Sequence, residues 1–149
     1  MVDDEIERTV LVNAPLQRVW QAMADSVQFG EWFRCTVDRG FAVGATINCT
    51  SLYHDSEALK WQKRIVAMDE PEYFAFEWSP GDTGADMLSE AAGKTLVEFR
   101  LSEKAEQTEV HIRESGFASL PEEWRAHSYR SNTQGWDAQV ENIKQYVLT

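Results

Sequence analysis

Few residues in this chain are grouped in the way that catalysis or metal binding requires. It has three histidines, at His54, His111 and His127. They lie far apart in sequence, and none pairs with another histidine or with a cysteine at metal-ligand spacing. Neighbouring carboxylates occur at 69–72, but the chain has 25 acidic residues, so such neighbours arise by chance. The sequence therefore predicts no metal, no cofactor and no catalytic motif.

Aromatic residues are the more informative feature, because large rings on a concave surface can hold an apolar ligand. The chain has six Trp and seven Phe. The candidate ligand-binding rings on the strands are Trp61, Phe74, Phe76, Trp78 and Phe99. The alternative is that these rings fill a packed core, as aromatic stripes often do.

The C-terminal segment supplies the other half of the predicted site. From Trp136 to Val147 the apolar residues recur every three or four positions, which predicts one face of a helix. Upstream, the same stripe carries Ser128, Ser131 and Gly135, which are too small to fill the space opposite large rings. Tyr129 and Asn132 could supply polar groups to a ligand there. The alternative is that this half of the helix projects into solvent.

Composition and charge narrow the class of partner. The 149 residues are enough for a single domain with its own core, predicted over 1–149. A net charge of −11 argues against a nucleic-acid partner and against anionic membrane surfaces. The N-terminus has no cationic and apolar leader, no stretch of 18 apolar residues occurs, and Cys35 and Cys49 are too few for a disulfide framework. These features predict a cytoplasmic protein.

The elements that must position the candidate site follow from the hydrophobic pattern. Strands are predicted at 5–13, 45–53, 60–69, 72–79, 94–103 and 108–117, with a weak one in "RCTVD". On the last two strands alternation places five residues on the buried side: Val97, Phe99, Leu101, Val110 and Ile112. Two short helices are predicted between the first strand and "RCTVD", and a long helix from a Ser119–Glu122 capping box to about Leu148.

The order of these elements resembles the helix-grip fold of the START-like (SRPBCC) superfamily. The matching stretches are "IERTVLVNAPLQRVWQAMADSVQFGEWF", "IVAMDEPEYFAFEW", "TLVEFRLSEKAEQTEVHIRESGF" and "GWDAQVENIKQYV". Within that superfamily the sequence is most similar to activators of the heat-shock-protein-90 ATPase, the AHSA-like family. The resemblance implies an α+β fold in which a curved antiparallel sheet of six or seven strands wraps around the C-terminal helix. It also implies a cavity for an apolar or amphipathic small molecule.

Three functions are compatible with this resemblance. The leading one is binding of a small hydrophobic, lipid- or polyketide-like molecule between sheet and helix, without catalysis. The second is a co-chaperone that acts on a chaperone ATPase. The third is a cyclase- or hydrolase-type enzyme using Tyr129, Glu77 or His54 as acid or base. The long connection at 79–94 is expected to contribute to function, and no motif decides whether the chain forms a homodimer.

Overall fold

A computed structural model describes residues 4–52, 60–78 and 93–148 of the chain. The described residues form seven strands, and α-helices at both ends of the chain pack on one face of their sheet. The strands are β1 (Glu5–Val12), β2 (Cys35–Val37), β3 (Thr46–Ser51), β4 (Lys60–Asp69), β5 (Tyr73–Trp78), β6 (Thr95–Lys104) and β7 (Gln107–Ser115). The helices are α1 (Leu16–Ala24), α2 (Ser26–Phe33) and α3 (Glu122–Tyr146), with a 3-10 turn at Phe117–Ser119. This is the predicted α+β helix-grip architecture.

The sheet is antiparallel throughout, in the order β1-β7-β6-β5-β4-β3-β2. The first strand therefore lies beside the last, and the short β2 forms the opposite edge. Hairpin connections account for every neighbour from β2 to β7, so only the β1–β7 pairing joins distant parts of the chain. The same face of the sheet carries the buried residues of β6 and β7, as alternation predicted.

Helices α1 and α2 fill one end of the space on the concave side of the sheet. Asp25 caps α2, accepting hydrogen bonds from the backbone N–H groups of Val27 and Gln28, each at 3.0 Å. Phe29 and Trp32 of α2 then pack edge-on against Phe76 and Phe99 of the sheet, with ring centroids 6.2 and 6.5 Å apart. The aromatic layer of the sheet is thus covered by α2 as well as by α3.

Helix α3 begins without the predicted capping box. Its N-cap is Pro121, and no side chain caps the first turn. Ser119 belongs to the 3-10 turn instead, where its hydroxyl donates to the carbonyl oxygens of Lys94 (2.7 Å) and Gly116 (2.8 Å). The capping prediction was wrong because this hydroxyl ties the turn to the start of β6 and is not available to α3.

The C-terminal half of α3 is held by the predicted apolar stripe. Trp136, Ile143 and Val147 are buried, and Val140 packs at the edge of the same core. Gln139 lies on this face as well, and its amide donates to the carbonyl oxygen of Phe33 at 3.1 Å. One backbone carbonyl of α2 is satisfied in this way, and the two helices are joined.

Candidate functional site

The feature that distinguishes the space between sheet and helix is a buried carboxylate. Glu114 is the last inward-facing residue of β7, and its exposed fraction is 0%. It continues the alternation of Val110 and Ile112, so its side chain points to the concave face where apolar residues are expected. None of the ion pairs in the described ranges includes Glu114, and a buried charge is costly unless hydrogen bonds compensate for the lost water.

Four neutral donors supply that compensation, from two strands and one helix. Oε2 of Glu114 accepts from Trp78 Nε1 (2.8 Å), Thr95 Oγ1 (2.5 Å) and Asn132 Nδ2 (3.0 Å). Oε1 accepts from Trp136 Nε1 at 2.8 Å and from Asn132 Nδ2 at 2.9 Å. We call these five residues the Glu114 cluster. Because β5, β6 and β7 and helix α3 all contribute, the cluster fixes the helix against the sheet at this point.

The Glu114 cluster extends from the interior towards the surface. Thr95 and Trp136 are buried, whereas Trp78 and Asn132 are partly exposed. The rings of Trp78 and Trp136 lie 6.0 Å apart, and Phe33 of α2 contacts both, at 5.9 and 6.3 Å. The three rings therefore pack against one another beside the carboxylate.

Two buried polar atoms nearby have no hydrogen-bond partner among the described residues. Ser128 lies one turn before Asn132 on α3; its exposed fraction is 0%, and its hydroxyl is unsatisfied. Trp61 Nε1 on β4 is likewise unsatisfied, and its ring contacts Phe33 at 6.2 Å. Buried polar groups in folded proteins nearly always have a partner, which in a binding protein can be the ligand.

The predicted rings of the strands fall into two groups. Phe74, Phe76 and Phe99 are fully buried and lie about 6 Å from one another, forming the centre of the aromatic core. Trp61 and Trp78 lie at its margin, beside Phe33. Trp78 and Phe99 contact the Trp136 ring of α3, at 6.0 and 5.9 Å. The structure thus brings Trp78 together with Asn132, whereas Phe74 and Phe76 pack against other rings of the sheet, α1, α2 and Phe41.

The predicted residues of α3 also divide. Tyr129 turns away from the Glu114 cluster, because its hydroxyl donates to the backbone carbonyl of Glu5 on β1 at 3.2 Å. Ser131 is partly exposed and Gly135 is exposed. A Cβ at Gly135 would meet no atom within 4 Å, so the space beside it is open.

The residues considered as acid or base do not converge. Glu77 lies on the convex side of β5, where it accepts a hydrogen bond from Arg64 at 3.0 Å. Tyr129 is engaged with β1, as described above, and His54 lies outside the described residues, as does most of the 79–94 connection. Within the described ranges, no group of three His, Cys, Asp or Glu residues could hold a metal ion.

Sequence reasoning missed Glu114 and a second inward charge, Lys63 on β4. Lys63 stands between Trp61 and Ile65 on the concave face, and its exposed fraction is 1%. The signal was present in both strands: each charge occupies an inward position of an otherwise apolar alternation. Both could have been identified by searching for charged residues at the inward positions of each predicted strand.

A separate open groove of about 750 Å³ lies where the ends of β5, β6 and β7 meet α1. Most of its lining residues carry a polar or charged group: Leu16, Glu72, Tyr73, Arg100, Leu101, Ser102, Glu103, Glu109 and His111. None of the predicted ligand-binding residues lines it.

In the described part of the chain, no helix is long and apolar enough to cross a membrane.

Comparison with solved structures supports the fold. The chain is similar to a protein of Arthrobacter aurescens (TM-score 0.79, 16% identity, covering 99% of this chain and 90% of that one). It is similar to CalU16 from Micromonospora echinospora (TM-score 0.68, 17% identity, 96% and 75% covered). It is also similar to DynU16, from the dynemicin biosynthetic locus (TM-score 0.73, 21% identity), of which it spans about half, 99% of this chain against 48% of that one.

Sequence comparison gives the family. No curated protein matches the chain. The sequence profile of the Activator of Hsp90 ATPase homolog 1-like proteins, however, matches residues 13–148, which is nearly the whole chain. That range contains the Glu114 cluster, the aromatic core and the whole of α3. The chain belongs to the family of Activator of Hsp90 ATPase homolog 1-like proteins.

Proposed function

We propose that this protein binds a small amphipathic molecule between the sheet and the N-terminal half of α3. The apolar part of the ligand would lie against Trp61, Trp78 and Phe33, and its polar end would reach the Glu114 cluster. Membership of the family is compatible with ligand binding in general. One structural neighbour comes from a biosynthetic locus, which is consistent with a small organic ligand.

The observation that carries the proposal is the unsatisfied hydroxyl of Ser128. It is fully buried, lies one turn from Asn132 and has no protein partner in the described structure. Leaving such a group unpaired costs about 1–3 kcal/mol, a cost that a ligand's polar group would remove on binding. Gly135, on the same helix, is exposed, so a ligand could approach this part of α3 from solvent.

The charges define the polar end of the ligand. The Glu114 carboxylate is surrounded by neutral donors, and no described cation pairs with it, so its charge favours a positively polarised ligand group nearby. Ser128 can donate or accept, and Trp61 Nε1 can only donate. A ligand that carries a hydroxyl or an amine at one end of an apolar body matches this set.

A titration with 1-aminoanthracene, a neutral apolar fluorophore that bears an amine, tests the proposal. We expect saturable fluorescence enhancement at one site per chain. Ser128→Leu should abolish it by filling the space next to Asn132. The matched control is Ala138→Leu, which places the same side chain at an exposed position of α3 and should leave binding unchanged.

Two outcomes would contradict the proposal. One is the absence of saturable binding in the wild-type protein. The other is equal binding by the Ser128→Leu and wild-type proteins while both keep the native circular dichroism spectrum. If binding is absent but micromolar protein stimulates the ATPase of an Hsp90 chaperone, the function is instead the co-chaperone one that the family description names.

A further inference from the structure

Lys63 is a buried amine without a polar partner. Its Nζ lies 3.3 Å from the centroid of the Phe29 ring and 4.4 Å from the centroids of Phe41 and Phe76. The amine has no hydrogen-bond partner, and no ion pair in the described part of the chain includes it. Buried lysines are ordinarily paired, so this one needs an explanation.

The surroundings favour the neutral, nucleophilic form of the amine. Burial lowers the pKa of Lys63 to about 7, and the thiols of Cys35 and Cys49 are the titratable groups that act on it, raising it in part. The faces of three aromatic rings attract a cation, but they do not replace the hydrogen bonds that water gives an ammonium group. A lysine desolvated in an apolar site is the type of amine that reacts with carbonyl compounds.

Phe41 separates this amine from solvent. It lies between β2 and β3, is partly exposed, and packs against Phe29 (5.5 Å) and Phe74 (5.8 Å) as well as over Lys63. A rotation of this single side chain would open a path lined by phenylalanine rings. The Phe29 ring under the amine stacks on Phe33 at 5.0 Å, so one ring separates the amine from the proposed binding space.

We propose that Lys63 is a covalent attachment site for small apolar aldehydes. The neutral amine attacks the carbonyl carbon, a C–N bond forms, and the carbonyl electron pair moves to the oxygen, which takes up a proton. The hydroxyl then leaves, and the two hydrogens of the amine depart with the oxygen as one molecule of water. The product is an imine, and the surrounding rings exclude the water that would hydrolyse it.

Reductive trapping measures this reaction directly. The protein is incubated with hexanal and cyanoborohydride, which reduces the imine to a stable secondary amine, and the modified lysines are identified by peptide mass mapping. Lys104, an exposed lysine at the end of β6, is the internal reference. At neutral pH the free-amine fraction of Lys63 is about a thousandfold larger than that of a lysine in a model peptide, whose pKa is about 10.4.

We expect Lys63 to be labelled roughly tenfold faster than Lys104. Restricted access to the buried amine is taken to reduce the thousandfold advantage in free-amine fraction by about a hundredfold. The free-amine fraction of Lys63, and with it the rate of attack on the aldehyde, should level off above about pH 7. Cys35 and Cys49 are buried and are present throughout. Tandem mass spectrometry of the labelled peptide shows whether the label resides on the Lys63 nitrogen.

Two variants complete the test. Lys63→Met should remove the fast label and leave Lys104 unchanged, and Phe41→Ala should increase the rate at Lys63 by opening the path. Labelling at Lys63 that is no faster than at Lys104, in both wild-type and Phe41→Ala proteins, would overturn the proposal. The result is independent of 1-aminoanthracene binding, so the two proposals can fail separately.

Discussion

Two charged residues at inward positions decide the chemistry of the concave face. Glu114 is surrounded by neutral donors, whereas Lys63 is surrounded by rings and has no hydrogen-bond partner in the described structure. Both are fully buried. Hydrogen bonds compensate the carboxylate for its lost hydration, whereas none of the described residues does so for the ammonium form of Lys63. The carboxylate is therefore held in place as an acceptor, and the amine is available as a base or nucleophile.

Replacing Glu114 by Gln should destabilise the protein. The amide presents two donors where Glu114 has an acceptor oxygen, so at least one of Trp78, Thr95, Asn132 and Trp136 must lose its partner. We expect a loss of about 1.5–3 kcal/mol in the free energy of unfolding, measured by urea denaturation. Glu109→Gln, one position before the buried Val110 and on the convex face of β7, is the matched control and should change stability by less than about 0.5 kcal/mol. Equal effects of the two substitutions would show that the Glu114 cluster contributes little.

Replacing Lys63 by Met should stabilise the protein at neutral pH. Because the pKa of Lys63 is about 7 in the folded state against an ordinary 10.5, the unfolded chain binds more protons between these values. Wild-type stability should therefore rise with pH across this window, by up to about 1.4 kcal/mol per pH unit, and the advantage of Lys63→Met should shrink in step. Cys35 and Cys49, the titratable neighbours, are the same in both proteins. Urea denaturation at a series of pH values checks this, and a pH-independent difference would contradict it.

At the scale of the element, α3 joins two different environments. Its C-terminal half is anchored by Trp136, Ile143 and Val147, and its N-terminal half carries the buried Ser128 and the exposed Gly135. The sequence predicted the anchored half because apolar spacing alone determines it. It could not predict that Ser119 is used by the 3-10 turn, because that depends on the distant carbonyl of Lys94.

Gly135→Ala should stabilise α3. The glycine lies in the interior of a 25-residue helix, and a Cβ there meets no atom within 4 Å. Alanine favours a helix interior by about 1 kcal/mol over glycine, so we expect a gain of that size in thermal or urea unfolding. Gly30→Ala is the contrasting case, because its Cβ would lie 2.6 Å from the backbone oxygen of Cys35, and it should be destabilising. A loss of stability in Gly135→Ala would contradict the open surroundings of Gly135 in this structure.

At the scale of the molecule, the sheet and the helices were predictable, but the contents of the space between them were not. Alternation and helical periodicity are local, and they predicted every described strand to within two residues at each end. The distribution of the aromatic rings between α2 and α3 depends on how α2 folds back over the sheet, which no local pattern encodes. Trp78 and Asn132 were selected as candidate site residues from their positions on a strand and a helix. Glu114, which accepts hydrogen bonds from both, was missed because charged residues were not considered at inward strand positions.

One carboxylate accepts hydrogen bonds from two tryptophans and so connects the sheet to α3. Trp78 on the sheet and Trp136 on the helix each donate an indole N–H to Glu114 at 2.8 Å, and their rings lie 6.0 Å apart. Trp78→Phe and Trp136→Phe each remove one donor and keep an aromatic ring. Because the two bonds satisfy the same buried charge, the second loss should cost more than the first, with a coupling of about 0.5–3 kcal/mol in a double-mutant cycle measured by urea denaturation.

The control cycle pairs Trp136→Phe with Trp20→Phe. The Trp20 indole donates to a different carboxylate, that of Glu70, at 3.1 Å. The two substitutions should therefore be additive within about 0.5 kcal/mol. Additivity in both cycles would mean that the two indole hydrogen bonds to Glu114 do not act together in joining the sheet to α3. Coupling confined to the Trp78–Trp136 pair would show that the Glu114 cluster links them, and that a ligand which engages this carboxylate acts on the junction between sheet and helix.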